Sequence, residues 1–232
     1  YMIDPLTRFN LEDIETLIAE KRYFVLHAPR QTGKTTSLFA LMNHLNKKEH
    51  YRAVYVNIEG AQTARNNVLR GMTAITSALV DAVAYCLKDT RPRQWRMELL
   101  PSAGEDDVLR ALLVRLAEAD PRPLVLMIDE VDALVGDTLI SLLRQIRAGY
   151  AQRPASFPQS VILCGVRDVR DYRIHTAHQE IITGGSAFNI KAKSLLLGNF
   201  TQKETENLWR EYELETGHAI DPAIYPELWL DT

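Results

Sequence analysis

The sequence predicts an α/β fold on a mainly parallel sheet, and three observations predict it. Short β-rich apolar runs alternate with longer stretches of helical apolar spacing. Of the 232 residues, 46% are hydrophobic, enough to bury one full core, alone or with a small appendage. Charged residues make up 25%, the share of an ordinary globular protein rather than a disordered one.

The elements follow in order. Leu11 to Glu20 places apolar residues at helical spacing behind Asn10, a residue suited to capping. Tyr23 to His27 (YFVLH) reads as a buried strand, followed by APRQTGKTT and a helix to about Leu45. Ala53 to Ile58 is a second strand. Ala61 to Leu87 reads as helix, with Val68, Met72, Ile75, Leu79 and Val83 along one face. The Pro- and Arg-containing TRPRQW reads as a loop, and Asp106 to Ala119 as a helix stopped by Pro121 and Pro123. Leu124 to Ile128 is the most strand-like run. A helix from Thr138 to Tyr150 and a strand from Val161 to Cys164 follow. Arg167 to Ser186, polar and rich in His and Gly, reads as a long loop or insertion. Ser194 to Leu197 makes the last strand. Thr201 with Glu204 forms a capping box for a helix ending near Gly217. The division expected is one large α/β domain over 1–200 and the beginning of a helical appendage over 201–232.

Composition narrows the function. A net charge of −3 and a sequence pI near 6.1 disfavour a dedicated nucleic-acid binder. Cys86 and Cys164 are far apart and in no metal-ligand spacing, so they read as two reduced thiols of a cytoplasmic protein. No apolar run approaches the roughly 18 residues of a membrane span, and no signal-peptide pattern opens the chain. The first residue is Tyr, so the true N-terminus is left open.

Ala28 to Thr35 reads A-P-R-Q-T-G-K-T, the Walker A pattern G-x-x-x-x-G-K-[ST] with Ala28 in the first glycine's place. A loop between strand and helix, here Ala28, Pro29, Arg30, Gln31, Thr32 and Gly33, points backbone N–H groups into one concavity. The helix N-terminus adds partial positive charge. Gly33 permits a backbone conformation that a Cβ resists. Lys34 is placed to reach the β- and γ-phosphates of ATP, the Thr35 hydroxyl to ligate Mg²⁺, and Thr36 to face the α-phosphate.

Leu124 to Glu130 (LVLMIDE) is an apolar strand ending in two acids, a Walker B arrangement. Asp129 would hold Mg²⁺ through water, and Glu130 would orient and deprotonate the attacking water. P-loop kinases often lack that glutamate, so its presence favours hydrolysis. Asp132 reads as a helix cap. The long separation of the two motifs leaves room for a strand between theirs, the additional-strand type of P-loop fold.

Taken in order, the motifs resemble the AAA-like ATPases of bacteria and archaea, which are related to the STAND and AAA+ ATPases. The segments that carry the resemblance are YFVLHAPRQTGKTT, PRPLVLMIDEVDAL, SLLRQIRAGY, VILCGVRDVRDYR and SAFNIKAKSLLLGNFTQKETENLW. They cover nearly the whole chain, and Ala at the first loop position looks usual in that family. The resemblance implies a five-stranded parallel core, ATP or ADP with Mg²⁺, and a helical or winged-helix lid that this chain enters before ending at Thr232. It also implies a polar γ-phosphate sensor after the fourth strand. Arg167 holds that position, as the sensor or as an ordinary surface salt-bridge residue. Arg170 and Arg173 are weaker candidates for contacts across a subunit interface.

Other features have plainer readings. His27 reads as structural, and His175 and His178 as loop residues without metal partners. Trp95 among Arg91, Arg93 and Arg96 reads as a short basic loop before it reads as a nucleic-acid contact. Arg144 and Arg147 share a solvated helix face or an oligomer contact. The functional expectation is an ATP-hydrolysing switch with a protein partner or self-association. Its alternatives are a nucleotide-binding signalling scaffold without turnover and a DNA-associated loader or transposition ATPase.

Overall fold

Four largely apolar runs and a more polar edge run, residues 191–196, become one sheet, and the four alternate their side chains between two helical layers. The structure, a computed structural model, describes residues 3–167, 173–175, 181–183, 188–198 and 200–230. Strands β1 (Tyr23–His27), β2 (Arg52–Asn57), β3 (Leu124–Asp129), β4 (Ser160–Gly165) and β7 (Lys191–Leu196) pair in the order β2-β3-β4-β1-β7, all parallel. Two further short strands, β5 (Arg173–His175) and β6 (Ile181–Thr183), pair antiparallel with each other inside the stretch expected as a loop.

The pleat divides the core in two. Val25, Val54, Val56, Leu126, Ile128, Val161 and Leu163 pack toward α3 (Val68–Leu87), α4 (Arg91–Ala103), α5 (Val108–Glu118) and α6 (Gly136–Ala148). Their neighbours Phe24, Leu26, Ala53, Tyr55, Val125, Met127, Ile162 and Cys164 pack toward α1 (Leu11–Ala19) and α2 (Lys34–Lys47). A period of two on strands buried on both faces yields continuous apolar runs, as the sequence showed. Strand β4 lies between β1 and β3, so the expected intervening strand is present. The carboxyl ends of β1, β3 and β4 therefore open at one edge of the sheet, where α/β folds hold their ligands.

The caps are those the sequence encodes. Asn10 Oδ1 accepts from the Asp13 amide at 3.2 Å. Thr201 and Glu204 form the reciprocal capping box of α7 (Gln202–Thr216), which ends on Gly217 at φ +72°. After α7, α8 (Tyr225–Leu230) packs back through Tyr225, whose hydroxyl donates to Glu213 at 2.9 Å.

Four expectations are corrected. TRPRQW opens α4 instead of looping, because Pro92 sits in the first turn, where its missing N–H is not needed. The helix expected from Ala61 is a 3₁₀ turn at Glu59–Ala64 followed by α3, which starts only after Asn67 caps it. Asp132 does not cap α6; it lies in a 3₁₀ turn, Val131–Ala133, and its carboxylate accepts from the Val166 amide at 3.1 Å. Helix α3 has the length and composition of a membrane span, which the run-length reading missed. Its buried face, Met72, Ile75, Leu79 and Val83, belongs to the protein core.

The basic cluster of α4 is internally paired. Arg91 meets Asp89 at 2.7 Å and lies over Trp95, Arg93 meets Asp81 at 2.9 Å, and Arg96 donates to Thr76 at 3.0 Å. Both cysteines are free.

Candidate functional site

The loop between β1 and α2 is shaped by two left-handed residues, Gln31 at φ +62° and Gly33 at φ +82°. Ala28 is not one of them, which explains why alanine serves where the motif has glycine. Ala28 is fully buried, and its amide donates to Gly165 O at 3.2 Å, tying the loop's start to the end of β4. Pro29, Arg30 and Gln31 are exposed. Thr32 is buried and donates from its hydroxyl to Pro29 O at 2.8 Å, which closes the loop on itself. Gly33 then caps α2 without a side chain, so the first amides of that helix are not consumed by a capping oxygen. Lys34, 7% exposed, donates from Nζ to Ala28 O at 3.0 Å and Pro29 O at 2.7 Å. Its ammonium is thereby held within the loop.

The acidic strand end meets this loop. Asp129 is fully buried at the end of β3, and its Oδ2 accepts from the Thr35 hydroxyl at 2.8 Å. The same oxygen accepts from the Tyr55 hydroxyl at 2.9 Å, while Oδ1 accepts from the Glu130 amide at 2.9 Å. Burial, and then the Asp129 charge, push the Tyr55 phenol well above its ordinary range, so it remains a protonated donor.

Glu130 has a left-handed backbone, φ +61° and ψ +38°, that turns the chain sharply out of β3. A glutamate in that region costs energy that a glycine would avoid, a common mark of a functional position. Partial burial pushes its carboxyl upward, and the charges of Asp129, Asp132 and Glu59 add to this against the opposing Lys34. A carboxylate tuned upward is a better proton acceptor near neutral pH.

Arg167 is exposed, two residues past the end of β4. The Asp132–Val166 bond links its loop to the turn that follows Glu130. His27 ends β1 within the sheet, with its carbonyl accepting from Leu197 at 3.0 Å. Arg170 and His178 lie outside the described residues, and Arg173 and His175 fall in β5. Arg144 and Arg147 are exposed on α6. Beside the first turn of α2 lies a cavity of about 180 Å³, bordered by Thr36 and Ser37, with Ile3, Pro5, Phe200 and Leu208 as its apolar walls.

Among the residues around the site that were not singled out from the sequence are Arg8, Tyr55 and Phe200. Arg8 donates to Thr32 O at 3.4 Å and to Gly198 O at 2.6 Å, reaches Glu204 at 3.5 Å and stacks over Phe200 at 3.9 Å. None of these contacts has a linear signature, since each joins segments far apart in the chain. For Tyr55 the one available signal was a phenol between two valines at the centre of its strand.

The crossed-over parallel sheet, the strand–loop–helix cradle and the acidic strand beside it define a P-loop ATPase fold. Within that class the chain belongs to the AAA domain family, whose sequence profile matches residues 18–172.

Solved structures agree on the fold. The Aeropyrum pernix ORC1 protein, determined in complex with DNA, is similar at 16% identity with a TM-score of 0.56. That match covers 99% of this chain and 56% of the other. Cdc6p from Pyrobaculum aerophilum is similar at 20% identity and TM-score 0.55, covering 87% and 47%. AMPPCP-bound DnaA from Aquifex aeolicus is similar at 16% identity and TM-score 0.50, covering 95% and 55%. The chain thus spans about half the length of these proteins. No curated protein sequence matches the chain.

Proposed function

We propose that this chain binds ATP with Mg²⁺ and hydrolyses it, using the hydrolysis to time a conformational switch. The observation that carries the reading is the 2.8 Å contact between Thr35 and Asp129, with Glu130 next in the chain. It supports a reading in which a hydroxyl, a carboxylate and a base meet beside an anion-binding loop.

The donor set fits the ion. Thr35 and Asp129 offer two hard oxygen donors, the sparse protein contribution that suits Mg²⁺, which keeps water and takes phosphate oxygens. When bound, the ion neutralises charge across the β- and γ-phosphates. The amides of Gln31 to Thr35 and the Lys34 ammonium hold the phosphate chain and the charge that develops on it. Glu130 accepts a proton from water as the water oxygen bonds to the γ-phosphorus. The bond from that phosphorus to the bridging oxygen breaks, and its electrons leave with ADP. Arg167, beyond β4, is our candidate for reading the γ-phosphate. The apolar cavity beside Thr36 suits the base, which Phe200 and Leu208 would cover. We assign the segment from Thr201 onward to a lid.

The net charge of −3 and the internal pairing of Arg91, Arg93 and Arg96 favour a protein over a nucleic acid as macromolecular partner. Titration with a labelled ATP analogue and Mg²⁺ tests the reading. Saturable binding by the native chain that disappears in Lys34→Ala supports it, and equal binding by both refutes it.

A further inference from the structure

We propose that Tyr55 is a positioning residue for the Asp129 carboxylate and, through it, for the magnesium ion assigned to Thr35 and Asp129; this rests on the function proposed above.

The argument begins with the strand. On β2, Val54 and Val56 face one layer of the core, while Ala53 and Tyr55 face the other, among Met127 and the α2 side chains. Tyr55 is 7% exposed, and its ring packs on Phe39 with centroids 4.2 Å apart. An apolar ring would fill that slot without the cost of burying a hydroxyl. What the hydroxyl adds is its 2.9 Å bond to Asp129 Oδ2.

That bond has a specific consequence. Asp129 takes oxygen and nitrogen donors from three directions, Thr35 on α2, Tyr55 on β2 and its own following amide. Together they fix both the direction of the side chain and the rotation of the carboxylate plane, which is otherwise a soft torsion. Thr35 can donate its proton to Asp129 while a hydroxyl lone pair faces a cation. Tyr55 is not one of the two residues assigned to the cation, and its bond to the shared Asp129 Oδ2 gives it a role in orienting that carboxylate. Outer partners of this kind typically change metal affinity by roughly 10–100-fold when removed.

The test uses the whole chain, a fluorescent non-hydrolysable ATP analogue and magnesium chloride. Analogue binding is titrated in EDTA and then against increasing Mg²⁺, for the native chain, Tyr55→Phe, Tyr55→Met and Asp129→Ala. Both Tyr55 variants should bind the analogue in EDTA as the native chain does. Their half-saturating Mg²⁺ concentration should rise by about tenfold or more. Tyr55 titration curves that overlay the native one overturn the proposal. So does lost binding in EDTA by both variants, because the role would then be general support of the fold. Asp129→Ala separates the two levels of inference. If it leaves the Mg²⁺ response unchanged, the metal assignment itself fails and Tyr55 falls with it. If it raises the Mg²⁺ requirement while the Tyr55 variants do not, only the inference about Tyr55 is lost.

Discussion

Lys34 and Glu130 carry opposite charges into one site, and each leaves a different trace when removed. Lys34 donates to two carbonyls of its own loop, so Lys34→Ala deletes a cation without leaving a buried carboxylate unpaired. Charged hydrogen bonds contribute about 1.5–3 kcal/mol each, so nucleotide affinity should fall at least tenfold while the fold persists. Parallel binding and melting measurements check this. Glu130→Gln keeps the shape and removes the proposed base. It should bind ATP and lose roughly 10²–10⁴-fold in turnover, read by phosphate release. Its stability should also change with a definite sign. Burial and neighbouring acids raise the carboxyl of Glu130 above its value of 4.5 in the unfolded chain, so the folded state holds that proton more tightly. The stabilisation is full below pH 4.5 and is lost as pH rises through the folded-state value. At neutral pH the ionised side chain is therefore a burden on the fold. Glu130→Gln should melt above the native protein at pH 7, with the gap closing toward pH 4 in thermal scans. A gap that widens on acidification would contradict the assigned environment.

At the scale of elements, what the sequence made legible was whatever follows from local periodicity and capping. YFVLH, LVLMID and the 201–217 helix are recognisable because their apolar alternation or their Thr201–Glu204 and Gly217 signals are contained within a few residues. The start of α4 was not legible, because a proline in the first turn of a helix looks the same in sequence as a proline that ends one. The α3–α6 contact was equally hidden. Gly71 lies in the first turn of α3, four residues past the Asn67 cap, where alanine would ordinarily gain up to about 1 kcal/mol. Here an added Cβ would sit 2.3 Å from Thr138 Cγ2 and 2.7 Å from its hydroxyl, and Thr138 is fully buried. Gly71→Ala should therefore destabilise by about 1–3 kcal/mol in denaturant unfolding, the range for overpacking. Thr138→Ala should recover part of that loss in a double-mutant cycle, because it removes the two closest atoms. Simple additivity of the two substitutions would place the cost elsewhere than in this contact.

For the whole molecule, the phosphate loop and acidic strand were readable from their own residues, whereas the ties that join distant segments were not. Arg8 is the clearest of these. Its side chain is 6% exposed and joins the N-terminal 3₁₀ turn, the Thr32 carbonyl of the loop, the Gly198 carbonyl after β7 and Glu204 of α7. Its guanidinium plane also stacks on Phe200 at 3.9 Å. One cation thus links the proposed nucleotide-binding core to the proposed lid, and lysine cannot replace it. An ammonium has neither the planar face for Phe200 nor the fork that serves two carbonyls and a carboxylate at once. Arg8→Lys and Arg8→Ala should both release α7. Hydrogen exchange should rise across 202–216 in each variant, while the amides of β3 and β4, which Arg8 does not touch, keep native protection. The loop should feel the loss through Thr32, so nucleotide affinity should fall with the protection of α7. If exchange in α7 rises and affinity does not change, Arg8 fastens α7 without influencing the loop. Unchanged exchange in α7 would show that the stack and the Glu204 contact do not hold that helix in place.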